Sequence, residues 1–108
     1  MSAVQILRRL AHNNAWSTLR LHRACAQLSE PDYTKERTSF FPSLPLTLSH
    51  ILIVDWYYID ALERGGKGRA LLANDMPYGN DFAALAAAQR ASDLRLIAFT
   101  DSLTDDAS

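Results

Sequence analysis

The sequence predicts an all-α protein, an up-down bundle of three long helices in one domain. Apolar residues recur three or four positions apart in three separate blocks, which is the period of a helix with one buried face. Prolines, glycines and short polar residues separate the blocks and end helices. No stretch alternates apolar and polar residues as a half-buried strand does. A chain of 108 residues has room for one core, so we treat residues 1–108 as one domain.

The first block predicts a helix from about Ala3 to Leu28. Its apolar positions are Val4, Leu7, Leu10, Ala11, Ala15, Leu19 and Ala26. Pro31 follows closely and cannot continue a helix, because it lacks a backbone N–H and its ring clashes with the preceding turn. Cys25 is the only cysteine, which excludes an intramolecular disulfide. Because its neighbours are alanines and leucines, we expect a packed, unreactive thiol.

Residues 33–45 have no clear period and predict a loop, with Phe40 and Phe41 as anchors beneath it. A second helix is expected from about Pro45 to Arg64. Ser43 suits its N-cap, and Pro45 fits the first turn, where its missing N–H costs nothing.

The second helix is apolar around most of its circumference. The residues concerned are Leu46, Leu48, Ile51, Leu52, Val54, Trp56, Ile59 and Leu62. A helix of this kind needs neighbours on more than one side. Three glycines, Gly65, Gly66 and Gly68, are expected to end it in a turn.

After a connection over residues 68–79, the third helix is expected from about Asp81 to Leu103. Asn80 suits its N-cap, and Asp81 in the first turn complements the helix dipole. Its apolar set is Phe82, Leu85, Ala86, Leu96, Phe99 and Leu103. Residues 104–108 are polar and acidic and predict a frayed end.

Charge and hydropathy exclude two classes of partner. The 11 basic and 12 acidic side chains leave a net charge of −1, whereas nucleic-acid binding needs clustered Lys and Arg. The arginines of the first helix scatter around its outer face. The longest apolar run, residues 51–54, is far shorter than the ~20 residues that span a bilayer, and the N-terminus lacks a signal-peptide layout. We therefore expect a cytoplasmic protein that binds neither nucleic acid nor membrane.

Three helices shield the apolar second helix poorly, so a fourth is expected to cover it. That helix would come from another copy of the chain or from sequence beyond Ser108. The first possibility predicts a homodimer that buries the second and third helices.

The three histidines are the candidate metal ligands. His12 and His22 lie ten residues apart on one helix, about 80° around it and roughly 15 Å along it, so they cannot share an ion. We expect each to be exposed or to cap a helix. His50 lies in an apolar segment and points either into the bundle or onto its rim. Residue context leaves two alternatives for it, a hydrogen-bonded core histidine or a metal ligand.

Two acids follow His50 in the same helix, Asp55 and Asp60. Asp55 lies about 140° around the axis from His50, so the two cannot bind one metal from a straight helix. A buried Asp55 needs a donor, for which Asn13 and Asn14 are candidates. No phosphate-binding loop and no nucleophile–His–acid arrangement is identifiable, so no catalytic residue is assigned.

Three segments resemble the DinB/YfiT family of four-helix-bundle metalloenzymes. Residues 10–16 are similar to its first-helix Tyr-Asn-x-Trp element, with Asn14 and Trp16 matching and Asn13 in place of the tyrosine. Thr-Leu-Ser-His over residues 47–50, followed by Asp55, is similar to the second-helix Thr-Leu-x-His-(four residues)-Asp element.

One position in the second helix departs from the family, and the third segment completes the resemblance. Tyr58 stands where the second helix of the family commonly has tryptophan. Residues 82–85 with Asp93, Leu96 and Phe99 are similar to the third long helix.

The resemblance implies that His50 is one ligand of a divalent metal (nickel, zinc or iron). In the family the other two ligands come from a His-x-x-x-His pair on a final helix, which these 108 residues lack. The domain is then C-terminally incomplete, and the chain alone is expected to hold metal weakly or not at all. The implied activity is that of thiol-dependent S-transferases or isomerases acting on a small molecule. The alternative is a non-catalytic helical interaction module that homodimerises.

Overall fold

A computed structural model of the chain describes residues 2–35 and 43–104. The predicted anchors Phe40 and Phe41 and residues 105–108 of the predicted frayed end lie outside the described residues. The helices are α1 (Ala3–Ala26), α2 (Glu30–Thr34), α3 (Leu44–Leu62) and α4 (Phe82–Ser102), with a short 3-10 helix at Gly68–Leu72. The all-α class and the three long helices are confirmed. The sequence predicted neither α2 nor the 3-10 helix.

Side-chain caps fix where each long helix begins. The Ser2 hydroxyl accepts from the Gln5 amide N–H while the Gln5 side chain accepts from Ser2, a capping box that was not predicted. Ser43 caps α3 as predicted, accepting from Leu46 N–H at 3.3 Å. The predicted cap Asn80 of the third helix is wrong: Asp81 is the N-cap, and its carboxylate accepts from Ala84 N–H at 3.1 Å.

The central element is α4, and α1 and α3 pack on either side of it with little contact to each other. Hydrogen bonds between the helices show in which direction each runs relative to α4. Arg8 and Asn14 of α1 meet Thr100 and Asp93 of α4, so α1 and α4 are antiparallel. Asp55 and Glu63 of α3 meet Gln89 and Arg95 of α4 in rising order, so α3 and α4 are parallel.

The parallel pair requires the chain to cross back between α3 and α4, which the segment 63–81 does. The expectation that neighbouring helices run antiparallel is therefore wrong for this pair, because the connection is long enough to return the chain to the same end of the bundle.

The apolar core lies at one end, where the N-terminal halves of α3 and α4 meet the C-terminal end of α1. Its buried members are Cys25, Tyr33, Leu48, Leu52 and Leu85. Cys25 is 6% exposed, so its predicted packing is confirmed. Within the described residues, no helix is both long and apolar enough to cross a membrane. The cytoplasmic location stays a prediction.

At its C-terminal end, α3 stops at Leu62, and Glu63 and Arg64 lie between it and the first glycine. Arg64 adopts the left-handed conformation, with φ 57°, and its N–H donates to Ala61 O while Gly65 N–H donates to Asp60 O. This is the Schellman arrangement, in which glycine usually holds the place of Arg64. Gly65 serves another purpose: a Cβ there would collide with the Asp60 carboxylate.

Candidate binding groove

A polar network lies where the three long helices meet. Asp93 of α4, 2% exposed, accepts from the Asn14 amide at 3.2 Å and from the Thr18 hydroxyl. The Gln89 amide donates to Asp93 at 2.9 Å and to Asp55 of α3 at 2.8 Å. The network therefore ties α1 to α4 through Asp93 and α3 to α4 through the buried Gln89.

These partners correct the expectation for Asp55. Its donor is Gln89, whereas Asn14 donates to Asp93 and Asn13 is exposed. The sequence pattern indicates that Gln89 faces the bundle, because Gln89 and Asp93 lie four residues apart on the same face of α4 as Leu85. Burial raises the pKa of Asp55, the hydrogen bond from Gln89 opposes that shift, and the nearby Asp93 adds to it.

An open groove of about 310 Å³ runs between α1 and α3 above this network. Its walls are apolar and come from all three long helices: Leu7, Leu10, Leu62, Leu96 and Phe99. Asn14, Asp55 and Thr100 are its polar lining. We call this feature the α1–α3 groove.

Large apolar side chains remain exposed beside the groove. On α1, Leu7 is 45% exposed and Leu10 is 58% exposed; on α3, Leu62 is 51% exposed. Single exposed leucines are ordinary, but exposed leucines that line one groove from two helices are typical of an interaction surface. No charged side chain other than Asp55 lines the groove among the described residues.

His50 is exposed on α3, so it is not a core histidine. The neighbouring Ser49 is fully buried and Ile53 is 4% exposed, so His50 lies at the edge of the buried face of α3, at the bundle surface. Asp55 accepts a hydrogen bond from Gln89 of α4.

The other two histidines differ from each other. His12 is exposed, as expected, whereas His22 is buried and packs its ring edge-on against Phe82 at 5.7 Å. Burial lowers the pKa of His22, and Asp93 opposes that shift. The expectation that His22 is exposed or caps a helix is wrong, because α4 covers it.

A nickel, zinc or iron centre needs three or four nitrogen, oxygen or sulfur ligands that converge on the ion. Within residues 2–35 and 43–104, no group of three or more His, Cys, Asp or Glu side chains could hold a metal. The described residues therefore do not fit a metal centre around His50, and we derive no chemical step through one.

On the other side of α3, Asp60 is 3% exposed and has a different environment. Its carboxylate accepts from the backbone N–H groups of Lys67 at 3.0 Å and Gly68 at 3.2 Å. These bonds hold the turn that leads into the 3-10 helix. Asp60 also lines a cleft of about 240 Å³ with Trp56 and Arg95, but its own bonds are structural.

Comparison with known proteins gives one match. The family model described as "DinB family" matches residues 1–108. No curated protein and no solved structure matches the chain.

Proposed function

This chain belongs to the DinB family, and on that premise we propose that it is a helical interaction module that forms a homodimer through the α1–α3 groove. One observation carries the proposal, the exposed apolar side chains on both helices that border the groove. Association would remove these side chains from water, which is the main favourable term in most protein association.

The proposed interface is centred on a short apolar strip. Leu7 to Asn14 border it on α1 and Asp55 to Leu62 border it on α3, about 10 Å of each helix at 1.5 Å per residue. A second copy presents the same strip, so a two-fold arrangement would match like with like.

The exposed side chains change which helices the dimer would use. The sequence predicted an interface on the second and third long helices, which are α3 and α4. Because α4 is covered on two sides by α1 and α3, the proposed interface lies on α1 and α3.

Sedimentation velocity on the full chain between about 1 and 100 µM tests the proposal. We expect dimers at the upper end of this range, and at least a tenfold weaker association for Leu10→Glu, because a charge would be buried without a partner. Leu94→Glu is the matched control, since Leu94 is 48% exposed on α4 and does not line the groove. A chain that stays monomeric throughout would contradict the proposal.

A second candidate is a metal-dependent enzyme of the thiol-dependent S-transferase or isomerase type. The exposure of His50 favours it over a structural histidine, because an exposed imidazole is accessible to a metal ion. The remaining ligands would come from outside the described residues or from another chain, and the substrate would be a small molecule.

Metal analysis of the purified chain after loading with nickel, zinc or iron tests this candidate. We expect His50→Ala to lower the bound metal, whereas the matched variant His12→Ala, another exposed histidine, should keep it. Equal and negligible metal in all three proteins would contradict a role for His50 as a ligand in this chain.

A further inference from the structure

The polar lining of the α1–α3 groove presents mainly acceptors, because most of its side-chain donors are already used inside the protein. One N–H of the Asn14 amide donates to Asp93 at 3.2 Å. The Thr100 hydroxyl donates to the Ile97 carbonyl at 3.0 Å. Asp55 has no donor when ionised, and it accepts from Gln89. What remains for an incoming molecule is one N–H of the Asn14 amide and three acceptors: the Asn14 side-chain oxygen, the Thr100 hydroxyl oxygen and the Asp55 carboxylate.

We propose that the α1–α3 groove binds a small amphipathic amine, with its ammonium group at Asp55 and its hydrocarbon chain along the leucines. A primary ammonium has three donors and no acceptor, which complements a lining of acceptors. Its charge is opposite to that of Asp55, the charged residue of the groove.

The apolar part of the ligand follows from the walls. Leu7, Leu10 and Leu96 offer a surface for a hydrocarbon chain, and burying that chain contributes about 0.8 kcal/mol for each CH₂ group. A concave, mostly apolar pocket with a few convergent polar groups is the usual form of a small-molecule site. The groove volume of about 310 Å³ lies at the lower end of the range for such sites.

No Lys or Arg side chain among residues 2–35 and 43–104 lines the groove. Arg8 lies on α1, but its guanidinium donates to the backbone carbonyls of Thr100 and Leu103 at the end of α4. Arg95 pairs with Glu63 on the far side of α3. Neither lines the groove.

The inference does not depend on the proposed homodimer, although the two share a surface. Nothing in it requires a second copy of the chain, and a small molecule fits the groove of one copy.

The experiment is an NMR titration of the ¹⁵N-labelled full chain at pH 7 with three eight-carbon probes: n-octylammonium, n-octanol and n-octanoate. We expect octylammonium to shift the amide signals of groove residues and to saturate. Octanol should bind about tenfold more weakly, because it lacks the charge-assisted hydrogen bonds, and octanoate more weakly still.

Two variants assign the preference to Asp55. In Asp55→Asn the shape is kept and the charge removed, so octylammonium and octanol should bind equally. Asp75→Asn removes an acid from an exposed loop outside the groove and should leave the preference unchanged. Equal binding of octylammonium and octanol to the unchanged chain would overturn the proposal, and this comparison requires no variant to fold.

Sedimentation velocity on the same samples separates this inference from the proposed function. A monomer that binds octylammonium would overturn the homodimer and support the amine site. A dimer that excludes octylammonium would overturn the amine site and support the homodimer.

Discussion

The two acids of α3 lie five residues apart, on opposite sides of one apolar helix, and their environments differ. On the closed side, Asp60 is 3% exposed and accepts two backbone hydrogen bonds from the turn that follows α3. On the open side, Asp55 lines the α1–α3 groove and accepts one side-chain hydrogen bond from Gln89.

The difference shows two ways for a carboxylate to persist in an apolar helix. Asp60 is supplied with donors by the folded backbone, so it stabilises a turn. Asp55 is left with spare acceptor capacity beside a groove, so it has the features of a binding residue. The four predictions below test this contrast and run from the largest expected effect to the smallest.

Replacing Asp60 by alanine should have the largest effect. The N–H groups of Lys67 and Gly68 would lose their acceptor, and we expect the free energy of unfolding to fall by about 2–3 kcal/mol. Asp55→Ala is the matched comparison and should cost less than half as much. Urea denaturation followed by circular dichroism measures both. Equal costs would show that both acids are structural.

Gly65→Ala should destabilise the same turn, because Gly65 lies against the Asp60 carboxylate. The new methyl group would collide with the Asp60 carboxylate and displace it from its two backbone donors, at a cost of about 2 kcal/mol. Gly66→Ala is the control: it meets open space but has φ 78°, so strain of about 1 kcal/mol is expected. If the two alanine variants unfold at the same urea concentration, a glycine at position 65 is not needed for the Asp60 carboxylate to reach its two backbone donors.

Asp55→Asn should change how stability depends on pH. Burial raises the folded-state pKa of Asp55 above its ordinary value of 3.8. Stability is therefore lost as the pH rises from that value through the folded pKa, and it stays lost above. The variant does not titrate, so at pH 7 it should be the more stable protein by at most about 1 kcal/mol, because solvent screens a half-buried group.

Thermal unfolding between pH 3 and 7 measures this effect. The advantage of Asp55→Asn should disappear near pH 3, whereas Asp75→Asn should follow the unchanged chain throughout. A constant difference between the two curves at every pH would show that Asp55 does not titrate differently on folding.

Glu63→Gln should have the smallest effect. The Arg95 guanidinium beside Glu63 lowers the pKa of that carboxyl, and the two side chains make a paired contact on the closed side. Because the pair is largely exposed, we expect a loss of about 0.5 kcal/mol or less, which disappears in high salt. A loss as large as that of Asp60→Ala would mean that charges, and not backbone donors, hold the closed side.

Much of the fold could be predicted because the long helices have strong local signals. The Ser43 cap followed by Pro45 marks the start of α3, and the spacing of leucines marks α1. The parallel direction of α3 and α4 could not be predicted, since it depends on how the segment 63–81 folds. Its turn depends on Asp60 accepting from Lys67 and Gly68, a tertiary match between a helix and the loop after it.

The candidate groove was less accessible to sequence reasoning. Leu7, Leu10 and Leu62 read as core positions, because periodicity identifies an apolar face but not whether a neighbour covers it. Gln89 was missed as the donor to Asp55, since polar residues within an alanine-rich helix read as solvent-facing. His50 as a metal ligand and the homodimer stay predictions.

The position of α4 bears on how the chain acquires its structure during synthesis. Since α1 and α3 both pack on α4 and barely on each other, α1 lacks its main tertiary partner until α4 has been synthesised. The contacts between α1 and α4 join residues 75 to 95 positions apart, as in the pairs of Thr18 with Asp93 and Arg8 with Leu103. Loop closure of that span is slow relative to local helix formation. The α4-facing side of α1 therefore stays exposed until α4 emerges, and apolar surface that is transiently exposed in this way favours aggregation.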